Sequence, residues 1–286
     1  MDNIEAAHRF IDLSRGRMHA AMTGDGNSVI LLHGWPGYWI DYRYVLPLAA
    51  GRAQLIAPDF FGFGLSDHLD GDPIRSADEE AFAHDVVEMI NALELTDVII
   101  VGHDIGSAVA PVVARLKPDR VRGLVLLNPT HPYIGNKRYM PETQREAWYQ
   151  HFHQLALAEH LLDGKEGEIY NYLSHFYDHW AGKDKIMPEH IDAIARTYGR
   201  PGAFTSSIAW YRARAVRREQ SPPPPLNVPT LALWGDRDPM RPLSHKENFE
   251  LAFPLSVSVI LPGVGHFVPL EAPNAVVDAI DRLIHA

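Results

Sequence analysis

The segment Val98-Ile99-Ile100-Val101-Gly102-His103-Asp104-Ile105-Gly106-Ser107 passes from four consecutive β-branched residues into a helical pattern through Gly-x-Asp-x-Gly. An apolar run of this kind, without period-two alternation, reads as a strand buried on both faces. The two glycines permit a tight turn that thrusts the side chain between them upward. The N-terminus of the helix that follows favours negative charge at that point. Asp104 therefore reads as the apex of a strand, turn and helix unit. A plainer account, an aspartate that only caps the helix, fits the same ten residues, so the surrounding sequence must decide.

Further short apolar runs occur at Val29 to Leu32, Gln54 to Ala57, Asp97 to Val101, Val121 to Leu127, Thr230 to Trp234 and Val257 to Leu261. Helical patterns between them are clearest at Asp78 to Leu93, Ile105 to Leu116 and Ala272 to Ile284. Alternating strands and helices predict an α/β fold, with a mostly parallel central sheet flanked by helices and joined by right-handed crossovers. From Pro129 to about Arg218 the alternation stops. That stretch is aromatic, histidine-rich and helical in period over Thr143 to Leu162, Glu168 to Trp180, Glu189 to Tyr198 and Ala203 to Arg218. Ser221 followed by Pro222 to Pro225 marks its far edge, since such a segment neither continues a helix nor joins a central strand. The expected division is a first core part over residues 1–128, an inserted helical lid over 129–225 and a second core part over 226–286.

Composition limits the chemistry. The chain has 286 residues, 46% hydrophobic and 22% charged, as in an ordinary globular protein. A formal net charge of −10 argues against nucleic acid as a partner. With no cysteine, disulfides, thiolate metal sites and a thiol nucleophile are excluded. The first two dozen residues do not build the apolar core of a signal peptide, and no apolar run is of transmembrane length, so the reading is cytoplasmic with no membrane insertion. The oligomeric state is left open, a homodimer included.

Four motifs give Asp104 its context. His33-Gly34-Trp35-Pro36-Gly37 and Asp59-Phe60-Phe61-Gly62-Phe63-Gly64-Leu65-Ser66 each follow a strand candidate. Leu233-Trp234-Gly235-Asp236-Arg237-Asp238-Pro239 closes a later strand with two carboxylates, and Pro262-Gly263-Val264-Gly265-His266-Phe267 closes the last with a histidine. With these in chain order, the sequence resembles an α/β-hydrolase fold enzyme of the epoxide hydrolase and dehalogenase branch. The resemblance implies a triad in the order nucleophile, acid, histidine: Asp104 as nucleophile, His266 as base and Asp238 as the acid orienting it, with Asp236 the competitor for that role. It also implies an oxyanion hole from the N–H groups of Trp35 and Ile105. Asn128, where some relatives hold their acid, carries no charge.

The aspartate itself narrows the reaction. A serine alkoxide attacking saturated carbon would leave an ether, whereas a carboxylate leaves an alkyl ester that activated water can cleave. The electrophiles are then epoxides or alkyl halides. An opened epoxide needs a hydrogen-bond or proton donor opposite the nucleophile. Epoxide hydrolases resemble one another in using two lid tyrosines, and Trp148-Tyr149-Gln150 and Trp210-Tyr211-Arg212 match their settings, which implies Tyr149 and Tyr211 as those donors. The halide donors of haloalkane dehalogenases are missing, since Ile105 and Trp35 stand where Trp and Asn are typical. The arginines of fluoroacetate dehalogenases are missing too, with Ile105 and Ala108 in the positions close after the nucleophile.

The expected pocket is aromatic, lined by Trp35, Trp148, Gln150, Phe152 and Trp210, and suited to a small or medium neutral epoxide. His175 and His179, four apart on a predicted helix, lack the intervening Glu of a zinc protease, and no dinucleotide motif is present, so neither metal nor cofactor is expected. The expectation is a cofactor-independent hydrolase acting on an ether bond, taking an epoxide and water to a vicinal diol. The alternatives are a haloalkane or haloacid dehalogenase using Asp104 and, from another class, a non-catalytic small-molecule binding protein of this fold.

Overall fold

The computed structural model describes residues 6–68, 76–216 and 222–286. Its centre is an eight-stranded sheet built from β1 (Ala7–Leu13), β2 (Gly16–Thr23), β3 (Ser28–Leu32), β4 (Gln54–Pro58), β5 (Val98–His103), β6 (Val121–Leu127), β7 (Thr230–Gly235) and β8 (Ser256–Leu261). The spatial order is β1-β2-β4-β3-β5-β6-β7-β8. From β4 onward every pairing is parallel, while β1 with β2 and β2 with β4 are antiparallel.

All six runs read as strands are strands of this sheet. Every residue of β3, β5 and β7 is buried, the two-sided covering that their unbroken apolar runs require. The hairpin of β1 and β2 was not anticipated. β1 is an edge strand that is mostly exposed, and buried β2 is built of Met, His and Ala rather than β-branched residues, so neither carries the pattern of a two-sided strand.

Two pairs of helices pack on the sheet: α1 (Val45–Ala49) with the C-terminal helix Pro273–Ile284, and α2 (Glu79–Ala92) with α3 (Ile105–Leu116). Asp78 caps α2 by accepting a hydrogen bond from the Ala81 N–H at 2.9 Å, and Phe82, Val86, Met89 and Ile90 form its buried stripe. Between β6 and β7 the described residues hold no strand. That stretch contains α4 (Pro141–Glu146), α5 (Trp148–Phe152), α6 (Ala156–Leu162), α7 (Glu166–Trp180), α8 (Pro188–Tyr198), α9 (Ala203–Ser207) and α10 (Ala209–Val216). The single helix expected over Thr143 to Leu162 is three short helices, with breaks at Ala147 and at His153 to Leu155. The one expected over Ala203 to Arg218 breaks at Ile208. Residues 217–218 and Ser221, parts of the expected last lid helix and lid edge, lie outside the described residues. After β7 come α11 (Phe249–Ala252), α12 (Val268–Glu271) and the C-terminal helix, here α13. No helix of the described residues is long and apolar enough to cross a membrane.

The turn from β5 into α3 is the tightest packing in the sheet's centre. A Cβ on Gly102 would lie 2.3 Å from the Gly106 carbonyl oxygen, and one on Gly106 would lie 2.2 Å from the Leu32 carbonyl oxygen. Both obstacles are backbone, so a side chain at either position must push α3 off β3. Gly106→Ala is expected to destabilise the fold by about 1–3 kcal/mol, a drop in Tm on the order of 5 °C. Thermal unfolding followed by circular dichroism checks this, and an unchanged Tm would contradict the packing argument.

Candidate active site

Asp104 sits at the β5 to α3 turn with φ 49° and ψ −108°, a left-handed backbone that a non-glycine residue holds only at a cost. Three hydrogen bonds hold it there. Gly106 N–H donates to the His33 carbonyl at 2.9 Å, and Ser107 donates to the Asp104 carbonyl from both its N–H, at 3.0 Å, and its hydroxyl, at 2.6 Å. The loop after β3 closes directly on the nucleophile position, since a Cβ on Gly34 would lie 2.3 Å from Asp104 Cβ. That approach lets the Trp35 N–H donate to Asp104 Oδ1 at 3.1 Å. Ile105 opens α3, so its N–H is one of the helix's unpaired first donors. Buried His33 ties the loops together, accepting from the Phe60 N–H at 3.1 Å and bonding the Gly34 carbonyl at 2.9 Å. Asp59 accepts from the Trp39 and Leu65 N–H groups at 2.7 and 2.9 Å, so the glycine-rich motif after β4 serves as scaffold.

His266 lies across from Asp104, with Nε2 3.8 Å from Oδ2 and no hydrogen-bond partner on that nitrogen. Its Nδ1 bonds Asp238 Oδ2 at 2.7 Å, both side chains being buried. The second oxygen of Asp238 accepts from the Met240 and Arg241 N–H groups at 2.7 and 3.0 Å. Asp236 is elsewhere: it is exposed and accepts from the Gly263 N–H at 2.7 Å. The geometry thus separates the two carboxylates that the sequence left in competition.

Burial alone would discharge both partners of the pair. For His266 the burial penalty is outweighed by the charge and hydrogen bond of Asp238 and by the charge of Asp104, and its pKa is raised. For Asp238 burial pushes upward, but His266 and the N–H and charge of Arg241 bring the pKa below the ordinary value.

Three groups not recognised from motifs set the His266 backbone. Asn128 donates to the Gly265 and His266 carbonyls at 2.9 and 3.2 Å and accepts from the Gly235 N–H at 2.7 Å, clamping the ends of β6 and β7 to the histidine loop. His103 Nε2 bonds the His266 carbonyl at 2.8 Å. The Trp180 carbonyl, at the end of α7, accepts from the His266 N–H at 2.9 Å. The sequence had marked Asn128 only as an uncharged residue where some relatives hold their acid, and nothing in it pointed to this clamp.

A cavity of about 230 Å³ opens above Asp104, and Asp104, Ile105, Tyr149, Gln150, Trp210 and Tyr211 all line it. Tyr149 and Tyr211 are buried, with rings edge to face at 5.3 Å, and Gln150 donates to the Tyr149 hydroxyl at 3.2 Å. Burial first, and then negative charge nearby including that of Asp104, raises both phenol pKa values, so the hydroxyls stay protonated donors. Trp35 lies behind this wall, stacked on Tyr149 at 5.3 Å. His153 backs the tyrosines as well, with its ring 4.9 Å from that of Tyr211. Burial pushes its pKa down to about 3, and its Nε2 bonds the Tyr172 hydroxyl at 2.9 Å.

Three expected pocket residues do not line the cavity: Trp148, Phe152 and Trp35, the last of which lies behind Tyr149. Trp148 is 41% exposed and stacks on Phe176, and Phe152 packs beside Trp148 and Tyr172. Because α5 is a short separate helix, only one side of it, that of Tyr149 and Gln150, faces the cavity. The cavity wall also holds Arg138, Arg214, Arg241 and His245, none of which the sequence reading singled out. They come from three separate segments and share no spacing.

No group of three or more metal-ligating side chains occurs among the described residues, and His179 is engaged with Glu146 at 2.7 Å. Comparison with known proteins agrees with the architecture. The soluble epoxide hydrolase of Corynebacterium sp. strain C12 is 28% identical, covering 96% of each chain. Haloalkane dehalogenase 2 of Mycobacterium tuberculosis H37Rv is 27% identical, covering 95% of this chain and 93% of that protein. The solved structure of epoxide hydrolase CorEH without ligand superposes with a TM-score of 0.81 at 26% identity, covering 98% of this chain and 99% of that one. The profile of the alpha/beta hydrolase fold matches residues 27–273, from just before β3 to the first residue of α13, and the chain belongs to that family.

Proposed function

We propose that this α/β-hydrolase is a cofactor-independent epoxide hydrolase. The observation that carries the reading is that a carboxylate at the elbow shares one cavity with two buried, protonated tyrosines. Tyr149 and Tyr211 donate hydrogen bonds to the epoxide oxygen, and Asp104 Oδ2 attacks a ring carbon from the other side. The C–O bond of the ring breaks, its electron pair stays on oxygen, and a tyrosine-side proton converts the alkoxide to a hydroxyl. The product of this step is a hydroxyalkyl ester of Asp104. Oδ1, already hydrogen-bonded by the Trp35 N–H, is the ester carbonyl oxygen.

His266 Nε2 is unpartnered in the buried site and faces this ester, so it takes a proton from water as that water attacks Asp104 Cγ. Charge then develops on Oδ1, where the Trp35 and Ile105 N–H groups stabilise it. Asp238 holds the imidazole by Nδ1 and stabilises the imidazolium. Collapse breaks the Cγ–Oδ2 bond, the leaving oxygen takes the proton held by His266, and Asp104, formed as its acid, returns its proton to the tyrosine, so that a vicinal diol carrying an oxygen from Asp104 is released. The similarity to a soluble epoxide hydrolase over nearly the whole chain supports this reading.

A second reading, a haloalkane or haloacid dehalogenase using the same Asp104, has one observation in its favour. The similarity to a haloalkane dehalogenase, 27% identical over 95% of this chain, is close to that with the soluble epoxide hydrolase. Diol formation against halide release distinguishes the two.

Three outcomes are expected. His266→Gln should retain alkylation but slow ester hydrolysis by roughly 10²–10⁴-fold, leaving a substrate-derived mass on the peptide that holds Asp104. Absence of any adduct with a turned-over epoxide would falsify the covalent route. Tyr211→Phe should lower kcat/KM for epoxides by roughly 10²-fold while sparing halide release, and the opposite pattern would favour the dehalogenase.

The third outcome concerns pH. Water activation needs neutral His266, whose pKa lies above 6.5, so turnover should be full above that raised pKa and fall as pH drops through it. Asp238→Asn removes the main raising influence, so the midpoint of the pH profile should move to lower pH as kcat falls. A midpoint that stays in place in the variant would contradict the role given to Asp238.

A further inference from the structure

The chain carries a formal net charge of −10, yet the cavity above Asp104 is lined by Arg138, Arg214 and Arg241, with Asp104 the only carboxylate among the described residues that line it. These arginines are not equivalent. Arg214 is engaged, pairing with Glu79 at 3.1 Å and lying over the Trp210 ring at 5.4 Å. Arg138 reaches the Pro132 carbonyl at 3.4 Å and the Tyr139 ring at 5.8 Å. Arg241 donates from Nη1 to the Met240 carbonyl at 3.1 Å, its buried Nε meets no acceptor, and it pairs with no carboxylate of the described residues. Its charge acts on buried Asp238 through space, yet among the described residues no carboxylate accepts from its guanidinium, whose buried Nε is left without a hydrogen bond. His245, on the same wall, supplies no charge, because burial and then Arg241 push its pKa down to about 4.

We propose that the substrate of this site carries a carboxylate, received by Arg241 with Arg138 beside it. The proposal rests on the reading of Asp104 as a nucleophile toward an epoxide carbon. It gives that reading a substrate class, a small epoxide bearing one carboxylate. Arg241 presents a planar fork of N–H donors, the geometry that matches the two oxygens of a carboxylate. A dianionic phosphate would meet stronger repulsion from Asp104 inside a cavity of only about 230 Å³, so a monoanion is the better fit. Arg241 is also close enough to Tyr149 for its charge to oppose the rise in that phenol's pKa, so an anion on Arg241 sits beside the group that holds the epoxide oxygen. Anchoring the carboxylate there orients the ring and determines which carbon faces Asp104. The positions just after the nucleophile, Ile105 and Ala108, offer no such clamp. The loop after β7 offers it instead, from the same stretch that holds Asp238.

The test compares acid and amide partners of equal shape. Phenylglycidate against phenylglycidamide covers a short spacing, and styrene oxide with a para carboxylate against its para carboxamide covers a longer one. In the wild type, kcat/KM for at least one acid should exceed that of its amide by roughly tenfold or more, and the ratio should shrink as salt is raised. Arg241→Met should bring the ratio near one, and Arg241→Lys should keep part of it. Amides opened as well as acids in the wild type would overturn the carboxylate subsite while upholding the epoxide reading. A preference that survives Arg241→Met would overturn the assignment to Arg241.

If neither epoxide pair is opened, the epoxide reading fails and binding decides the subsite. Phenylacetate against phenylacetamide, followed by tryptophan fluorescence, should show the acid bound roughly tenfold tighter in the wild type and equally in Arg241→Met. Equal binding in the wild type would overturn the subsite on its own.

Discussion

Asp104 stands where it does because the backbone around it is bare. Gly102, Gly106 and Gly34 each place backbone where a Cβ would come within 2.3 Å of a neighbouring atom. That closeness brings β3, β5 and α3 together under one residue in a left-handed conformation. The strain is repaid by local hydrogen bonds, and the arrangement points a carboxylate at the Trp35 N–H and at His266. Every other feature of the site is positioned relative to that carboxylate.

The electrostatics follow from burial. Asp104, Asp238 and His266 share a region from which water is largely excluded, and two carboxylates facing one imidazole raise the basicity of His266. The same enclosure keeps Tyr149 and Tyr211 protonated, so the cavity holds the Asp104 carboxyl group together with two neutral donors. Arg241 adds positive charge on the wall, and no carboxylate of the described residues accepts from its guanidinium. This is the condition in which an anionic ligand binds well, since the protein has already borne the desolvation of the cation.

The helical stretch between β6 and β7 does more than cover the sheet. Its longest helix, α7, ends at Trp180, whose carbonyl holds the His266 N–H and whose ring meets the imidazole at 5.0 Å. The tyrosines arrive from α5 and α10 of the same stretch. His266, through Trp180, and the two tyrosines are therefore tied to the same helical stretch, which links the placement of the tyrosines to that of the histidine.

The α/β architecture was legible from residue types, because buried parallel strands and glycine turns leave local marks in sequence, and the order of Asp104, an acid and His266 along the chain came from the resemblance carried by four motifs. The β1 and β2 hairpin was not legible, since an exposed edge strand and an Ala- and Met-rich partner lack those marks. Nor was the choice between Asp236 and Asp238 one that spacing could make, as both lie on one turn and only the path of the chain brings Asp238 within 2.7 Å of His266. Trp148 and Phe152 read as pocket residues because aromatic composition does not say which side of a short helix faces inward. By itself the sequence determined the groups available, a carboxylate between two glycines after a buried strand and a histidine after the last strand, with no thiol in the chain. The tertiary structure alone decided what surrounds it, the clamp of Asn128 and the wall of arginines, because those contacts join residues far apart in the chain whose proximity no local pattern encodes.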